Sequence, residues 1–240
     1  TTMIAGLNVP SFALWAALSG VVPRIAVNNG YCFAGNAALF GCADITIATE
    51  SSWIGMAGPA MIEGGGLGKF KPTEIGPISV QSKNGVVDIV AKDELDATAI
   101  AKNVLGIFQG DINQWECCDQ NQLQKLMPED RRYVYDVRKI ISTIADSNSY
   151  IELRENDGRG IVTGFIRIEG KAMGLIANNC KVLGGAIDSD GAEKAARFLQ
   201  LCNGYNLPIL SLCDTPGFMV GPSNEEEAAV RRLSRLFVAG

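Results

Sequence analysis

The chain has 240 residues, 47% hydrophobic and 20% charged, with a formal net charge of −5. That is the balance of a packed globular chain with room for one large domain or two ordinary ones, and it offers no basic stripe for nucleic acid. Histidine is absent, which removes Ser-His-Asp and Cys-His catalysis and histidine-ligated metals, and leaves carboxylate, lysine, tyrosine or main-chain N–H chemistry.

The seven cysteines (Cys32, Cys42, Cys117, Cys118, Cys180, Cys202 and Cys213) form no CxxC pair. They read as small core residues in a reducing compartment, and Cys117-Cys118 alone cannot supply a zinc site, so no metal is expected. No charged-then-apolar leader is legible, and the longest apolar stretch near the start, FALWAALSGVV, is too short to span a bilayer. The expectation is a soluble protein of the cytoplasm, or of the mitochondrial matrix in a eukaryote, with neither membrane nor nucleic acid as partner.

In chain order, Ser11 is placed to cap a helix carrying Phe12, Trp15 and Leu18, closed by Gly20. RIAVNN (24–29) reads as a buried strand running into Gly30, NAALFG (36–41) as a short helix and DITIAT (44–49) as a second strand. Residues 55–77 are rich in glycine and proline and read as loop with at most one short helix. After the Asn84-Gly85 turn, Ala97, Ile100, Ala101, Val104, Leu105 and Phe108 mark one face of a helix. The polar stretch 109–135 reads as a connection between domains.

DVRKIISTIAD (136–146) resumes helical spacing, and 161–179 reads as a hairpin turning at Glu169-Gly170. Asp190 and Glu193 suggest a capping box for a helix with an Ala192, Ala195, Ala196, Leu199, Cys202 stripe, closed by Gly204. LPILSLC (207–213) suits a parallel strand covered on both faces, ending in the Asp214-Thr215-Pro216-Gly217 turn. Ser223 and Glu226 offer a further capping box before the last helix.

Two glycine-rich stretches invite a functional reading. EGGGLGKFKP (63–72) fails as a Walker loop, with Glu63 where a glycine belongs and Phe70 where Ser or Thr belongs; it fails as a Rossmann motif at Lys71. In NNGYCFAGNAALFGC (28–42), Ala34-Gly35 leads straight into a helix start. Unpaired N–H groups there could receive a carbonyl oxygen, as in an oxyanion hole, though a glycine for tight strand–helix packing would look the same.

NNGYCFAGNAALFGCADITIAT (28–49) resembles the crotonase superfamily signature, in which a glycine-rich turn opens a helix and donates an N–H to a thioester oxygen. On that resemblance Gly35 is the donor and Ala34 its catalytic neighbour. Hydratases of the superfamily carry a glutamate where this chain has Ala38, and SWIGMAGPAMI (52–62) lacks their second carboxylate. SGVVPRIAV, VYDVRKII, VLGGAIDSDGAEKAARFLQLCNGYNLPILSLCDTPGF and GPSNEEEAAVRRLSRLF instead resemble the carboxyltransferase (β) subunits of biotin-dependent acyl-CoA carboxylases of the propionyl-CoA type.

The resemblance implies an α/β, crotonase-like (ClpP/crotonase) spiral fold, with parts of two related domains. Residues 1–129 would be the second half of one carboxyltransferase domain plus a linker, and 130–240 the first half of the next. It implies carboxyl transfer between carboxybiotin and the α carbon of an acyl-CoA, the biotin ureido nitrogen taking the α-proton and backbone N–H groups holding the oxyanions. Phe33, Gly58 and Pro59 would contact CoA or biotin, and Gly184, Gly185, Asp214, Thr215, Pro216, Gly217 and Phe218 would line the second pocket. Implied partners are a biotin carboxylase, a biotin carboxyl carrier and further copies of the chain in a hexamer with sites between subunits. A decarboxylase of the same family and a non-catalytic CoA-binding or assembly subunit remain the alternatives.

Overall fold

The computed structural model describes residues 10–130 and 132–240. The chain divides into two compact units, one comprising the chain up to Gln81 with Val90–Lys102, the other Ser82–Ile89 with Asn103–Gly240.

The first unit opens with α1 (Pro10–Ala17), β1 (Ile25–Phe33), α2 (Gly35–Gly41), β2 (Ile45–Gly55), α3 (Pro59–Gly64) and α4 (Ile78–Gln81). β3 (Ile89–Ala91) completes a three-stranded sheet of order β1-β2-β3, with β1 and β2 parallel. α5 (Glu94–Ile107) follows, its residues from Asn103 onward counted with the second unit. Ser11 lies inside α1 rather than capping it. β1 runs on past Gly30 to Phe33, since a register shift between Asn28 and Gly30, where Gly30 takes φ 86°, absorbs the irregular residue and pairing with β2 resumes.

This sheet is anchored by a buried ion pair. Arg24, 7% exposed, sends Nη2 to Asp44 Oδ1 at 2.7 Å and Nε to Oδ2 at 3.2 Å, while its main-chain N–H donates to Oδ2 at 2.8 Å. The remaining guanidinium donors reach Trp15 O and Ser19 Oγ. One side chain thus joins the end of α1 to the starts of β1 and β2, with its charge paired and its donors occupied, as burial demands.

The second unit contains α6 (Leu123–Leu126), α7 (Val137–Ile144), β4 (Ile151–Leu153), β5 (Ile161–Ile168), β6 (Lys171–Asn178), α8 (Ser189–Gly204), β7 (Ile209–Leu212), α9 (Pro222–Glu226) and α10 (Ala229–Ala239). Its sheet has the order β4-β5-β6-β7; β5 and β6 form the expected hairpin through Glu169-Gly170, and β7 joins β6 in parallel after the α8 crossover. Val137, Ile141 and Ala145 pack on Val162, Ile166, Leu175 and Ala177 to make the core.

Several local expectations change. α8 is capped by Asp188, whose carboxylate accepts from Gly191 N at 2.7 Å, so Asp190 and Glu193 are free to pair with Arg232 instead. Ser223 and Glu226 form no capping box: α9 starts after Gly221 and breaks before Ala228, which takes the left-handed conformation at φ 58°. β7 is an edge strand and only half-buried rather than covered on both faces. On α5, Ala97 and Val104 are buried but Leu105 faces outward. Of the cysteines only Cys32, Cys180 and Cys202 are buried; the other four are exposed, and all seven are free thiols.

Lys194 of α8 was invisible as a core residue in the alanine stripe. It is 2% exposed, and its Nζ donates to Arg154 O at 2.7 Å, Asp157 O at 3.0 Å and Ile161 O at 2.7 Å, so the ammonium pins the 154–161 loop through all three N–H bonds. Burial is the main force lowering its pKa to about 8, against the opposing pull of Glu152 and Asp157. Lys194→Met strands three carbonyls and costs about 3 kcal/mol or more. Between about pH 8 and the ordinary lysine value near 10.5 the unfolded chain holds a proton that the folded chain releases, so this group makes stability rise with pH in that window. Thermal unfolding at pH 7 and pH 9.5 checks both: wild type gains on Lys194→Met as pH rises, and a flat or opposite slope refutes the assignment.

Candidate functional site

In the first unit, the end of β1 delivers Phe33, Ala34 and Gly35 to the start of α2. Ala34 holds φ 56° and ψ −126°, a conformation that a residue with a side chain adopts only where its surroundings impose it. Its N–H donates to Gly55 O at 3.1 Å and its carbonyl accepts from Ala38 N at 3.0 Å. Ala34 is therefore held by β2 on one side and by its own helix on the other, and its ψ sets the direction of the next N–H, that of Gly35. Gly35 and Asn36 are exposed, and as the first residues of a helix they have no intrahelical acceptor for their N–H groups.

Phe33 stands opposite Gly55 in the sheet register, and its ring lies against Gly58, where an added Cβ would sit 3.4 Å from Phe33 Cδ2. Gly58 precedes Pro59, the first residue of α3. The structure thus brings Phe33, Ala34, Gly35, Gly58 and Pro59 together around one sheet edge. On the α1 side of α2 lies an open cavity of about 510 Å³ lined by Trp15, Val27, Tyr31, Cys32, Leu39 and Phe40 among others. Trp15 donates Nε1–H to Leu39 O at 3.0 Å, which fixes the cavity wall to α2.

In the second unit, Leu183, Gly184 and Gly185 take φ of 50°, 62° and 86° in succession, a run that glycine makes cheap at its last two positions. Gly184 is exposed with nothing within 4 Å of an added Cβ, whereas a Cβ on the buried Gly185 would sit 2.5 Å from Asp214 O. The glycine loop therefore touches the Asp214 turn backbone to backbone. The two are joined again where Ile187 pairs with Phe218: Ile187 N donates to Gly217 O at 3.0 Å and Met219 N to Ile187 O at 2.9 Å. Thr215 Oγ1 accepts from Gly217 N at 3.0 Å and sets the tight turn. Gly184, Gly185 and Asp214 to Phe218 lie together on one surface at the carboxyl edge of β6 and β7.

Sequence reasoning passed over the side chains that hold this surface together. Asn178, 6% exposed at the end of β6, donates Nδ2 to Gly185 O at 3.3 Å and accepts at Oδ1 from Asp214 N at 3.1 Å. Tyr135 donates its hydroxyl to Asp214 Oδ2 at 2.7 Å, and its main chain is fastened to the Cys180 thiol at 3.3 and 3.2 Å. Burial, with the Asp214 carboxylate beside it, pushes the Tyr135 phenol well above its ordinary value and keeps it a donor. An asparagine closing an apolar strand was the one available signal; its partners lie 7 and 36 residues away.

The first unit thus exposes a glycine at a strand–turn–helix, and the second brings two glycines and the 214–218 turn together at a sheet edge. A family profile described as the carboxyl transferase domain matches residues 9–239, and the chain belongs to that family. It is 33% identical over 226 residues to the biotin-dependent acetyl-/propionyl-coenzyme A carboxylase beta6 subunit of Mycobacterium tuberculosis, covering 92% of this chain and 48% of that protein. It is 34% identical over 229 residues to the propionyl-CoA carboxylase beta chain of Rhodococcus erythropolis, with the same coverage. The chain spans about half the length of these curated relatives. Among solved structures, a single-chain, multi-domain long-chain acyl-CoA carboxylase matches with TM-score 0.97 and 53% identity over 99% of this chain and 24% of that one. The transcarboxylase 12S hexamer with hydrolysed methylmalonyl-coenzyme A matches with TM-score 0.83 and 29% identity, covering 95% of this chain and 47% of that one. The fold is the crotonase-like fold of carboxyltransferase domains.

The two adjacent glycines give a paired test of the second surface. Gly184→Ala meets open space and pays only for its left-handed φ, about 1 kcal/mol. Gly185→Ala pays the same strain and drives a methyl into Asp214 O, so it loses about 2–3 kcal/mol more. Denaturant unfolding of the two variants checks this; equal losses refute the contact.

Proposed function

We propose that this chain carries parts of two carboxyltransferase domains, 1–129 and 130–240, of an enzyme that moves a carboxyl group between biotin and the α carbon of an acyl-CoA thioester. The observation that carries the reading is the exposed Gly35 N–H, aimed by the strained Ala34 at the start of α2, in a chain whose family match runs from 9 to 239.

Forming a carbanion next to a thioester places negative charge on the carbonyl oxygen. A fixed N–H at that oxygen lowers the barrier because the donor is already oriented when charge develops. Gly35 supplies that donor, and the absence of a Cβ leaves room for the thioester to approach it. Ala34 supplies orientation rather than a hydrogen bond, since its own N–H is spent on Gly55 O. Phe33, Gly58 and Pro59 wall the approach. Biotin, when bound, supplies the carboxyl group and a basic ureido nitrogen. The second surface fits such a group: Gly184 leaves it open, and Gly185 and Asn178 hold the Asp214–Phe218 turn against it. No protein imidazole is needed for either half.

The 53% identity to the long-chain enzyme, against 28–34% to curated relatives named for short acyl groups, supports testing long-chain acyl-CoA first. A biotin carboxylase and carrier would be partners, and the hexamer of the transcarboxylase 12S structure supports assembly with further copies. A relative named methylmalonyl-CoA decarboxylase subunit alpha, 28% identical, keeps the reverse direction in view.

The test is transfer of labelled bicarbonate to acyl-CoA by the assembled enzyme, set against carboxyl loss from a malonyl-type thioester. Gly35→Val keeps the N–H but crowds it with a branched side chain, so the thioester oxygen no longer reaches it and transfer falls by about the 10²–10³-fold that loss of one donor costs. A Cβ at position 35 would sit 3.2 Å from the tip of the Phe12 ring, which is 38% exposed, so the unfolding midpoint is measured alongside to separate lost folding from lost transfer. Retained transfer in Gly35→Val refutes the donor assignment, and acyl-CoA binding without exchange in the wild type favours the non-catalytic CoA-binding or assembly role.

A further inference from the structure

The mechanism above uses the main chain of the Asp214 turn and leaves its carboxylate without a task. That carboxylate stands exposed two residues beyond β7, on the surface shared with Gly184 and Gly185. Its oxygens are treated differently. Oδ2 accepts the Tyr135 hydroxyl at 2.7 Å, which stops the carboxylate from rotating, and among the described residues no donor is bonded to Oδ1. Its main chain is fixed as well, with the N–H on Asn178 Oδ1 and the carbonyl against Gly185. Among the described residues Asp214 takes part in no ion pair, in contrast to Asp136, Asp157, Asp190, Glu152 and Glu193 of the same unit.

A carboxylate that is exposed, rotationally fixed and unpaired with a cation is built to accept a hydrogen bond from outside. The substrates of the proposed reaction bring no cation to it, but they do bring neutral planar N–H donors: the ureido ring of biotin and the two amides of the pantetheine arm. A carboxylate accepting from such a donor forms a charge-assisted bond, about twice as strong as one between neutral groups.

We propose that Asp214 Oδ1 is the acceptor for a neutral amide or urea N–H of the bound ligand, and that Tyr135 is the positioning residue that aims it. The assignment rests on the reading that the 214–218 turn lines the second pocket. It adds a side-chain contact that fixes one end of the ligand, where the main chain of the turn could only shape the surface. Tyr135 touches no ligand in this arrangement; its phenol acts through Asp214, and the Cys180 thiol holds its main chain in register.

Titration calorimetry on the assembled protein, with biocytin and coenzyme A as separate probes, tests this without any turnover. Asp214→Ala weakens one of the two by about 10–100-fold and leaves the other within twofold. Loss confined to biocytin identifies the ureido group as the donor, and loss confined to coenzyme A identifies a pantetheine amide. Tyr135→Phe weakens the same probe by about threefold to tenfold, and in the Asp214→Ala background it adds nothing, because the two act as one unit. Tyr133→Phe, an exposed neighbour, leaves both constants unchanged. Both probes within twofold of wild type in Asp214→Ala overturn the proposal, and an additive Tyr135→Phe effect overturns its positioning part. Gly184→Trp separates this from failure of the underlying reading, since its side chain enters open space in the pocket. If Gly184→Trp blocks binding while Asp214→Ala does not, only the carboxylate assignment falls. If neither changes binding, the turn does not line the pocket and both fall.

Discussion

A main-chain N–H cannot swing, titrate or be replaced by a better rotamer; its usefulness depends on the backbone being held still. In this chain, which has no histidine, much of the buried polarity meets main-chain groups and holds them still. Arg24 and Asp44 lock the entry to β1 and β2, so that β1 ends where Ala34 must turn. Lys194 clamps three carbonyls of the loop ahead of β5. Asn178 joins the two strips of backbone that form the second surface. In each case a buried charge or amide meets main-chain groups or an opposite charge, which makes burial affordable where an isolated polar group would cost several kcal/mol.

The two candidate surfaces obtain stillness differently. At Ala34 the strain is local, an unusual φ and ψ in a residue with a side chain, resisted by hydrogen bonds to Gly55 and Ala38. At Gly184-Gly185 the glycines remove most of the strain, and contact with Asp214 supplies the restraint. One site is fixed by pairing within the sheet and the other by close approach of two loops. A methyl group is tolerated at Ala34 but not at Gly185.

How much of this could be read from the sequence follows from the range of the interactions. The β5–β6 hairpin was legible because its turn and its alternating apolar residues are local, and α8 was legible from its alanine stripe. Caps failed where two acidic residues competed: Asp188 and Asp190 both suit an N-terminus, and the three-dimensional position of Arg232 decided between them. Lys194 was hidden because a lysine between alanines looks like a solvent-facing residue. Tyr135 and Asn178 were hidden because each bonds Asp214, 79 and 36 residues further along the chain, and no spacing rule connects them with it. The glycine segments themselves were visible, since backbone freedom is written in composition; the side chains that restrain them are not.

The thiols of the second unit differ in a way that is useful at the bench. Burial pushes the Cys202 thiol up to about 12, and Cys180 is buried with its sulfur bonded to Tyr135, so both are poor targets for electrophiles. Cys213 is exposed and peptide-bonded to Asp214. With Cys42, Cys117 and Cys118 replaced, an environment-sensitive dye on Cys213 would sit one residue from the turn, turning a native side chain into an optical reporter of whatever enters the second surface.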